Sequence, residues 1–330
     1  MPTEIEVWSG RLYSADAPWN KVESHIKRTT GEARLVTGDS ESPYRSRFSQ
    51  GAIFAPRLLF MVEKRPPGPL GVPAGRVTVR SSRNANEKKP WAQLDSMDGV
   101  VETEFVRPLY NGENLLPYRM LEPLPVVVPW DSVELLGAAS DRLELYPGLA
   151  DWWRRAEQCW EAHRSTDRMS LLEQLDYRGK LTKQFPIPEL RIVYNKSGMH
   201  LVAGLIMDKR AVINSGLYWT GVANVDEAYY LCAILNSPVT TELVRPYMSY
   251  GKDERDIHKH VWELPIQDYD RSIETHQRLA NLGKQATALA NNVKVSPDLH
   301  FSAQRRQIRN ELASSEISEQ IDQIVFEQLS

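Results

Sequence analysis

A close pair of histidines, His258 and His260, follows three acidic residues and is the first candidate for chemistry. If this segment were a strand, both imidazoles would share a face, and Asp253, Glu254 or Asp256 could add carboxylate oxygens. Such a set could hold a metal ion for the hydrolysis of nucleic acid. The same residue types are common as solvated side chains on a loop, and that second interpretation stays open.

Carboxylate catalysis has weaker support, because it needs two groups held apart in different environments of a cleft. Glu102 and Glu104 are close neighbours of the kind found on a polar face. Glu87 and Lys89 match half of a nuclease signature, Glu-x-Lys, without an aspartate on a matching upstream strand. The sequence contains no P-loop, no Gly-x-Gly-x-x-Gly turn and no Gly-x-Ser-x-Gly elbow, which excludes the three enzyme classes that those motifs define.

Cationic loops that also carry amides or hydroxyls are a stronger signal. Residues 64–93 contain seven Lys or Arg residues and one acidic residue, in a chain of 40 basic and 43 acidic residues with net charge -3. Such side chains can neutralise phosphates and hydrogen-bond base edges. Because the whole chain is slightly acidic, a nucleic-acid contact must come from local patches, or a partner must supply the charge. Trp91 could stack on a base, and a buried structural role is the alternative.

The composition predicts a folded protein of the cytoplasm. Hydrophobic residues make up 42% and charged residues 25%, which excludes a mainly disordered chain. Apolar runs such as residues 52–62 are shorter than the ~20 residues of a spanning helix, and the acidic start is unlike a secretory signal. The two cysteines, Cys159 and Cys232, are too few for a disulfide framework or a cysteine zinc site.

The elements that position these residues mix strands and helices. Helical spacing predicts helices from Asp151 to His163, after a cap at Asn224, and beyond Asp270. Extended or alternating patterns predict strands at residues 4–8, 33–37, 52–62, 76–80, 100–106, 191–194 and 261–266. The fold class is therefore α+β rather than a regular βαβ alternation.

The order of elements predicts four parts along the chain. They are a strand-rich unit with a basic loop at residues 1–148, a helical spacer at 149–180, a second mixed unit at 181–269 and a helical tail at 270–330.

Several short segments become informative when their order is considered. One is the helix end Leu235-Asn-Ser-Pro238 followed by Leu264-Pro-Ile266. The others are residues 47–63, 88–91 with 101–106, 114–125, 181–188 with 191–198, and 256–263. In this order, from about Tyr44 to the final helix, they resemble the C-terminal target-recognition region of large adenine-specific DNA methyltransferases. Those enzymes belong to type I, type IIG and related phage-defence restriction–modification systems.

The resemblance implies mixed-sheet target-recognition domains that bind double-stranded DNA beside an adenine methyltransferase catalytic domain or subunit. That partner would hold S-adenosylmethionine in a Phe-x-Gly-x-Gly turn and the flipped adenine in an Asn/Asp/Ser-Pro-Pro-aromatic loop. The nearest strings here, Ser42-Pro-Tyr44 and Pro66-Pro-Gly68, are incomplete. We therefore carry over no catalytic, cofactor or metal residue, and we do not expect the chain to methylate DNA alone.

The candidate DNA-binding residues are cations, an amide and a hydroxyl on loops or beside the first long strand. They are Arg45, Arg47, Gln50, Arg83, Lys88, Lys89, Lys180, Lys183, Lys196, Ser197, Lys252 and Arg255. Two hypotheses from other classes remain. One is a small metal-dependent hydrolase built on the histidine pair, and the other is an assembly subunit that docks a partner through its helical tail.

Overall fold

A computed structural model describes residues 4–10, 18–32, 42–69, 71–247 and 256–329 of the chain. The strands are β1 (Glu4–Gly10), β2 (Ile26–Glu32), β3 (Ser49–Gln50), β4 (Val62–Lys64), β5 (Arg76–Ser81), β6 (Asp98–Glu102), β7 (Val106–Tyr110), β8 (Leu115–Leu116), β9 (Arg119–Met120), β10 (Leu124–Val127), β11 (Arg191–Asn195), β12 (Ala203–Ile206), β13 (Val212–Ile213) and β14 (Leu217–Gly221). The α-helices are α1 (Trp19–Val22), α2 (Arg57–Phe60), α3 (Pro147–His163), α4 (Leu171–Leu175), α5 (Val225–Asn236), α6 (Pro238–Val244), α7 (Glu274–Asn292), α8 (Phe301–Ala313) and α9 (Glu316–Leu329).

The N-terminal core forms where α3 packs on the antiparallel sheet β4-β5-β6. Trp152 and Trp153 of α3 are fully buried there, and large aromatic side chains contribute much of the apolar area in such cores. The Glu102 carboxylate accepts the backbone N–H groups of Gly148 and Leu149 at 2.9 and 2.8 Å. A carboxylate at a helix N-terminus satisfies donors that have no partner within the helix. This distant cap explains why the helix begins earlier than the sequence predicts.

The C-terminal core lies between the antiparallel sheet β12-β11-β14-β3 and the helices α5, α7 and α9. Helix α7 approaches α5 so closely that a Cβ added at Gly283 would lie 2.2 Å from the carbonyl oxygen of Tyr229. Leu279, Ala286 and Ala290 of α7 are buried in this contact. The helical tail is therefore an integral part of the C-terminal core.

Residues 42–50 belong by packing to the C-terminal core, although the predicted first unit includes them. The rings of Tyr44 and Phe48 are buried against Trp262. The Ser42 hydroxyl donates to the Ile266 carbonyl at 2.7 Å, and β3 pairs with β14. This contact brings Arg45 and Arg47 beside the second unit. The four domain boundaries stay a prediction.

The predicted α+β class is confirmed, because separate small sheets and a helical C-terminus make up the fold. The strand at residues 76–80 is confirmed as β5. The Asn224 cap is also confirmed, because its side chain accepts the Glu227 N–H at 2.8 Å. The strand predicted at residues 33–37 lies outside the described residues.

Two strand predictions are wrong, and the strand predicted at residues 100–106 is interrupted by a 3-10 turn at Thr103–Phe105. Within residues 52–62 the chain forms α2, which starts after Pro56 and buries Leu58, Leu59 and Phe60. A short apolar run fits a buried helical turn as well as a buried strand. Within residues 261–266 the chain forms a 3-10 turn at Val261–Glu263 before it extends.

Cys159 on α3 is partly buried and Cys232 on α5 is buried, and both are free thiols. In the described ranges, every helix is too short or too polar to cross a bilayer.

Candidate nucleic-acid interface

The edge strand β3 places Gln50 where two parts of the chain meet. Gln50 pairs with Tyr218 of β14, and its side-chain amide is held at both ends. The Nε2 group donates to the Ser215 carbonyl at 2.7 Å, and the Oε1 atom accepts from Lys180 Nζ at 2.7 Å. Sheet pairing and the two hydrogen bonds thus bring together residues 130 positions apart in the sequence.

The turn at residues 176–183 carries Arg178 and Lys183 in addition to Lys180. The Asp176 carboxylate accepts the backbone N–H groups of Leu181 and Thr182, both at 2.9 Å. Within the turn, Arg178 has φ 60° and Gly179 has φ 68°. A non-glycine residue in this left-handed region costs of order 1 kcal/mol, so the surrounding hydrogen bonds must hold it.

Lys180 lies among like charges. Burial lowers its pKa below the ordinary lysine value, and the charges of Arg178 and Lys196 lower it further. Lys183 lies on the same turn, where its Cε atom would be 3.8 Å from a Cβ added at Gly179. We call Gln50, Arg178, Lys180, Lys183 and Lys196 the cationic face.

The loop that carries Lys196 and Ser197 is fixed by a buried amide. Asn195 Nδ2 donates to the carbonyls of Ser197 and His200 at 2.9 and 3.0 Å, and its Oδ1 accepts from Val202 N at 2.8 Å. The Lys196 carbonyl accepts from the His258 ring at 2.9 Å. The backbone of this loop is therefore well ordered, and the Ser197 side chain is exposed at its tip.

Asp256 moderates the charge beside the cationic face. Its carboxylate lies 2.7 Å from Lys259 Nζ and 3.9 Å from Lys196 Nζ. Burial would raise its pKa, but the hydrogen bond from Lys259 and the charges of His258, Lys259 and Lys196 outweigh burial, so the pKa lies below the ordinary aspartate value.

The histidine pair does not form a shared site among the described residues. The segment is a 3-10 turn, Ile257–Lys259, rather than a strand. The His258 ring stacks on Tyr218 with centroids 4.7 Å apart, whereas His260 Nδ1 contacts Glu263 at 3.0 Å. Within the described ranges no three potential metal ligands cluster. Asp253 and Glu254, the other predicted ligands, lie outside those ranges.

In the basic loop, residues 82–97 between β5 and β6, Arg83 is engaged in internal contacts. Its Nε atom donates to both oxygens of Glu87 at 2.9 and 3.0 Å, and its terminal nitrogens donate to the carbonyls of Leu94 and Trp91, both at 2.7 Å. Glu87, the acid of the Glu-x-Lys match, is neutralised by this contact. Lys88 and Lys89 are exposed at the mouth of a cleft.

Arg47 also serves an internal contact. Its guanidinium lies 2.6 Å from Glu227 and 3.4 Å from Asp268, over the ring of Tyr44. It thereby ties the segment before β3 to the start of α5. Arg45 is exposed on the adjoining 3-10 turn, and Lys252 and Arg255 lie outside the described residues.

The structure therefore brings together three predicted residues, Gln50, Lys180 and Lys196. Lys183 lies on the same turn as Lys180, and Ser197 lies on the loop beside Lys196. Sequence reasoning did not select Arg178, although its place two residues before Lys180 was a usable signal. It also did not select Tyr218, because its contact with His258 joins separate segments of the chain.

No protein-family model matches the chain, and no curated protein matches it significantly. Two solved structures are similar over 92% of its length. The type IIL restriction-modification enzyme MmeI, solved in complex with DNA, has 9% identity and a TM-score of 0.49. The type IIG restriction endonuclease BpuSI has 12% identity and a TM-score of 0.34. The present chain spans 37% and 36% of those two chains, little more than a third of each.

Proposed function

We propose that this chain recognises double-stranded DNA as the target-recognition module of an adenine-specific DNA methyltransferase. The order of sequence segments described above supports the family, and the cationic face supports contact with DNA. Because the sequence lacks the cofactor turn and the Pro-Pro-aromatic loop, the proposal assigns methyl transfer and S-adenosylmethionine to a separate domain or subunit.

The observation that carries the proposal is the arrangement around Lys180, whose Nζ donates to Gln50 Oε1 at 2.7 Å and which lies near the charges of Arg178 and Lys196. Burial and two neighbouring cations disfavour its charged form, so the arrangement costs stability in the free protein. An anionic ligand reverses that cost, because phosphates gain from several cations at one place and release their condensed counterions. Clustered like charges that lower stability are typical of functional sites.

Gln50 adds a group that can distinguish bases. A glutamine amide can bind adenine through N6 and N7 in the major groove. The Nε2 group uses one hydrogen on Ser215, and Oε1 uses one lone pair on Lys180. One donor and one acceptor position therefore remain for a base edge. The two existing bonds hold the amide in a single orientation, which sets the order of donor and acceptor.

The test is the binding of the purified full chain to duplex DNA over a salt series. Each phosphate contact contributes about −0.9 to the slope of log K against log salt, so three or four contacts predict a slope of about −3. The double variant Arg178→Gln/Lys180→Gln should reduce the steepness of that slope by about 2.

A matched control removes the same charge elsewhere. Lys284 on α7 and Lys294, two residues after its end, are both exposed, and Lys284→Gln/Lys294→Gln should leave the slope unchanged. Duplex affinity that does not depend on salt concentration would reject the cationic face as the phosphate contact. An equal reduction of the slope in the two double variants would also reject it.

A further inference from the structure

A second potential binding site lies in the N-terminal unit, away from Gln50 and Lys180. It is a cleft of about 610 Å³ between the basic loop, the start of α2 and the C-terminal end of α3. Sites for small molecules commonly have volumes of about 300–1,000 Å³. Its lining includes Lys88, Lys89, Trp91, Trp160, His163 and Arg164.

Aromatic rings form one wall of the cleft. Trp91 and Trp160 lie nearly parallel, with centroids 5.7 Å apart and an interplanar angle of 13°. The His163 ring lies 6.0 Å from Trp91. The Trp160 indole N–H donates to the Met169 carbonyl at 3.0 Å, which fixes the ring. Rigid aromatic rings at the surface of a cleft are suited to stacking on a nucleobase.

Polar groups with unused hydrogen-bonding capacity lie beside this wall. In the ranges that the structure describes, the side chains of Asn86, Ser165 and Gln174 make no hydrogen bond, and all three line the cleft. His163 Nδ1 contacts the Cys159 carbonyl at 3.0 Å, so that nitrogen carries the proton. In the neutral ring, Nε2 is then an acceptor. Amides together with an imidazole acceptor match the mixed donors and acceptors of a base edge.

The charge of the cleft favours an anion. Lys88, Lys89 and Arg164 contribute positive charge, and Arg164 Nη1 is anchored on the Met169 carbonyl at 2.9 Å. The carboxylate in the lining, Glu87, is paired with Arg83 at 2.9 Å. The net positive charge lies beside the aromatic wall, as a base with its attached phosphate requires.

We propose that this cleft binds one unstacked nucleotide. Its base lies against Trp91 and Trp160, its edge meets Asn86 and Gln174, and its phosphate lies near Lys88 and Lys89. Two sources share this chemistry, a free mononucleotide and a base displaced from its stack within DNA. The site is additional to the duplex contact proposed at the cationic face.

The test uses the full chain with deoxyadenosine 5′-monophosphate, a short single strand carrying 5-iodouracil, and a matched duplex. Trp91→Ala should weaken binding of the single strand about tenfold, because a base–aromatic stack contributes about 1–3 kcal/mol. Trp91→Phe should retain most of the affinity. Photocrosslinks from the single strand should map to Trp91, Trp160 or His163.

Trp91 packs on the N-terminal core, so Trp91→Ala could lose binding through misfolding. A second variant therefore tests the cleft without changing the core. Lys88→Gln/Lys89→Gln changes only exposed side chains and should weaken single-strand binding at least threefold, whereas Lys284→Gln/Lys294→Gln should not. Binding of the mononucleotide with the same losses identifies a free nucleotide as the ligand. Binding of the single strand alone identifies a base within DNA.

The inference fails if the single strand and the mononucleotide both fail to bind, or if crosslinks map outside the cleft. It also fails if the Lys88/Lys89 variant loses no more affinity than the control. A failure of the duplex proposal is distinguishable, because duplex binding then fails while single-strand binding to the cleft persists.

Discussion

The basic loop and the cationic face both carry several Lys or Arg residues, but the neighbours of those residues differ. In the basic loop, Arg83 is surrounded by acceptors, namely the Glu87 carboxylate and two backbone carbonyls. In the cationic face, Lys180 lies near the charges of Arg178 and Lys196, hydrogen-bonds the neutral amide of Gln50 and contacts the Tyr177 ring. A count of positive residues therefore does not reveal which cations are available to a ligand. The position of the nearest acceptor decides whether a cation stabilises the fold or remains for a phosphate.

The contrast between the two regions predicts that Arg83→Ala causes the largest loss of unfolding free energy. This change leaves the buried Glu87 carboxylate, which is 6% exposed, without its cation, and two carbonyls without a donor. Removing one partner of such a network costs about 2–4 kcal/mol of unfolding free energy. Urea unfolding measures the loss.

The control for that prediction is Arg80→Ala on β5. Arg80 lies 3.9 Å from Asp98, and both side chains are largely exposed, so its loss should cost less than about 1 kcal/mol. Equal losses in the two variants would show that Arg83 has no special structural role, and the contrast between the two regions would disappear.

The second effect concerns binding of a matched duplex. Arg178→Gln/Lys180→Gln should weaken it about tenfold at physiological salt, because two phosphate contacts are lost. Lys88→Gln/Lys89→Gln removes the same charge from the basic loop and should change duplex affinity by less than about threefold. Anisotropy titrations with one labelled duplex compare the variants directly. A larger loss in the basic loop would reverse the assignment of the duplex contact.

The third predicted effect is a gain in duplex affinity rather than a loss. Asp256→Asn removes negative charge 3.9 Å from Lys196, so duplex affinity should rise about threefold after screening by salt. Asp151→Asn removes the same charge from an exposed pair with Arg155 on α3 and should leave affinity unchanged. Unchanged or weaker binding in Asp256→Asn would show that the phosphates lie elsewhere.

The same substitution has a pH signature. The pKa of Asp256 in the folded protein is below the ordinary value, so its carboxylate contributes stability above the unfolded pKa of about 3.9. That contribution is lost as the pH falls through the lower folded pKa. Asp256→Asn should therefore be less stable than the parent at neutral pH, with a difference that closes in acid.

Local patterns predicted the parts of the fold that local contacts determine. The alternation at residues 76–80 and the Asn224 cap are both confirmed. The start of α3 depends on Glu102, 46 residues before Gly148, and no local signal reveals such a cap. Likewise, the sequence named Gln50 and Lys180 separately, but only the pairing of β3 with β14 brings them together. For Arg83, by contrast, the acid four residues later was a visible sign of an internal partner.

The smallest predicted effect is a change in unfolding free energy. It tests whether the cationic face destabilises the free protein. The folded pKa of Lys180 is below the ordinary lysine value, so its charge disfavours folding at every pH where the side chain is protonated. As the pH rises through the folded pKa toward the unfolded value near 10.4, the folded state releases the proton first and gains stability. Lys180→Met keeps the aliphatic stem and should raise the unfolding free energy by about 0.3 kcal/mol at neutral pH.

That gain should shrink as the pH rises through the folded pKa and vanish above the unfolded pKa of about 10.4, and it should accompany weaker duplex binding. Lys183→Met is the control, because Lys183 is exposed on the same turn and its removal should leave stability unchanged. A loss above about 1 kcal/mol in Lys180→Met would mean that the hydrogen bond to Gln50 outweighs the repulsion. Lys180 would then resemble Arg83, as a cation that stabilises the fold, and the distinction between the two regions would rest on Arg178 and Lys196 alone.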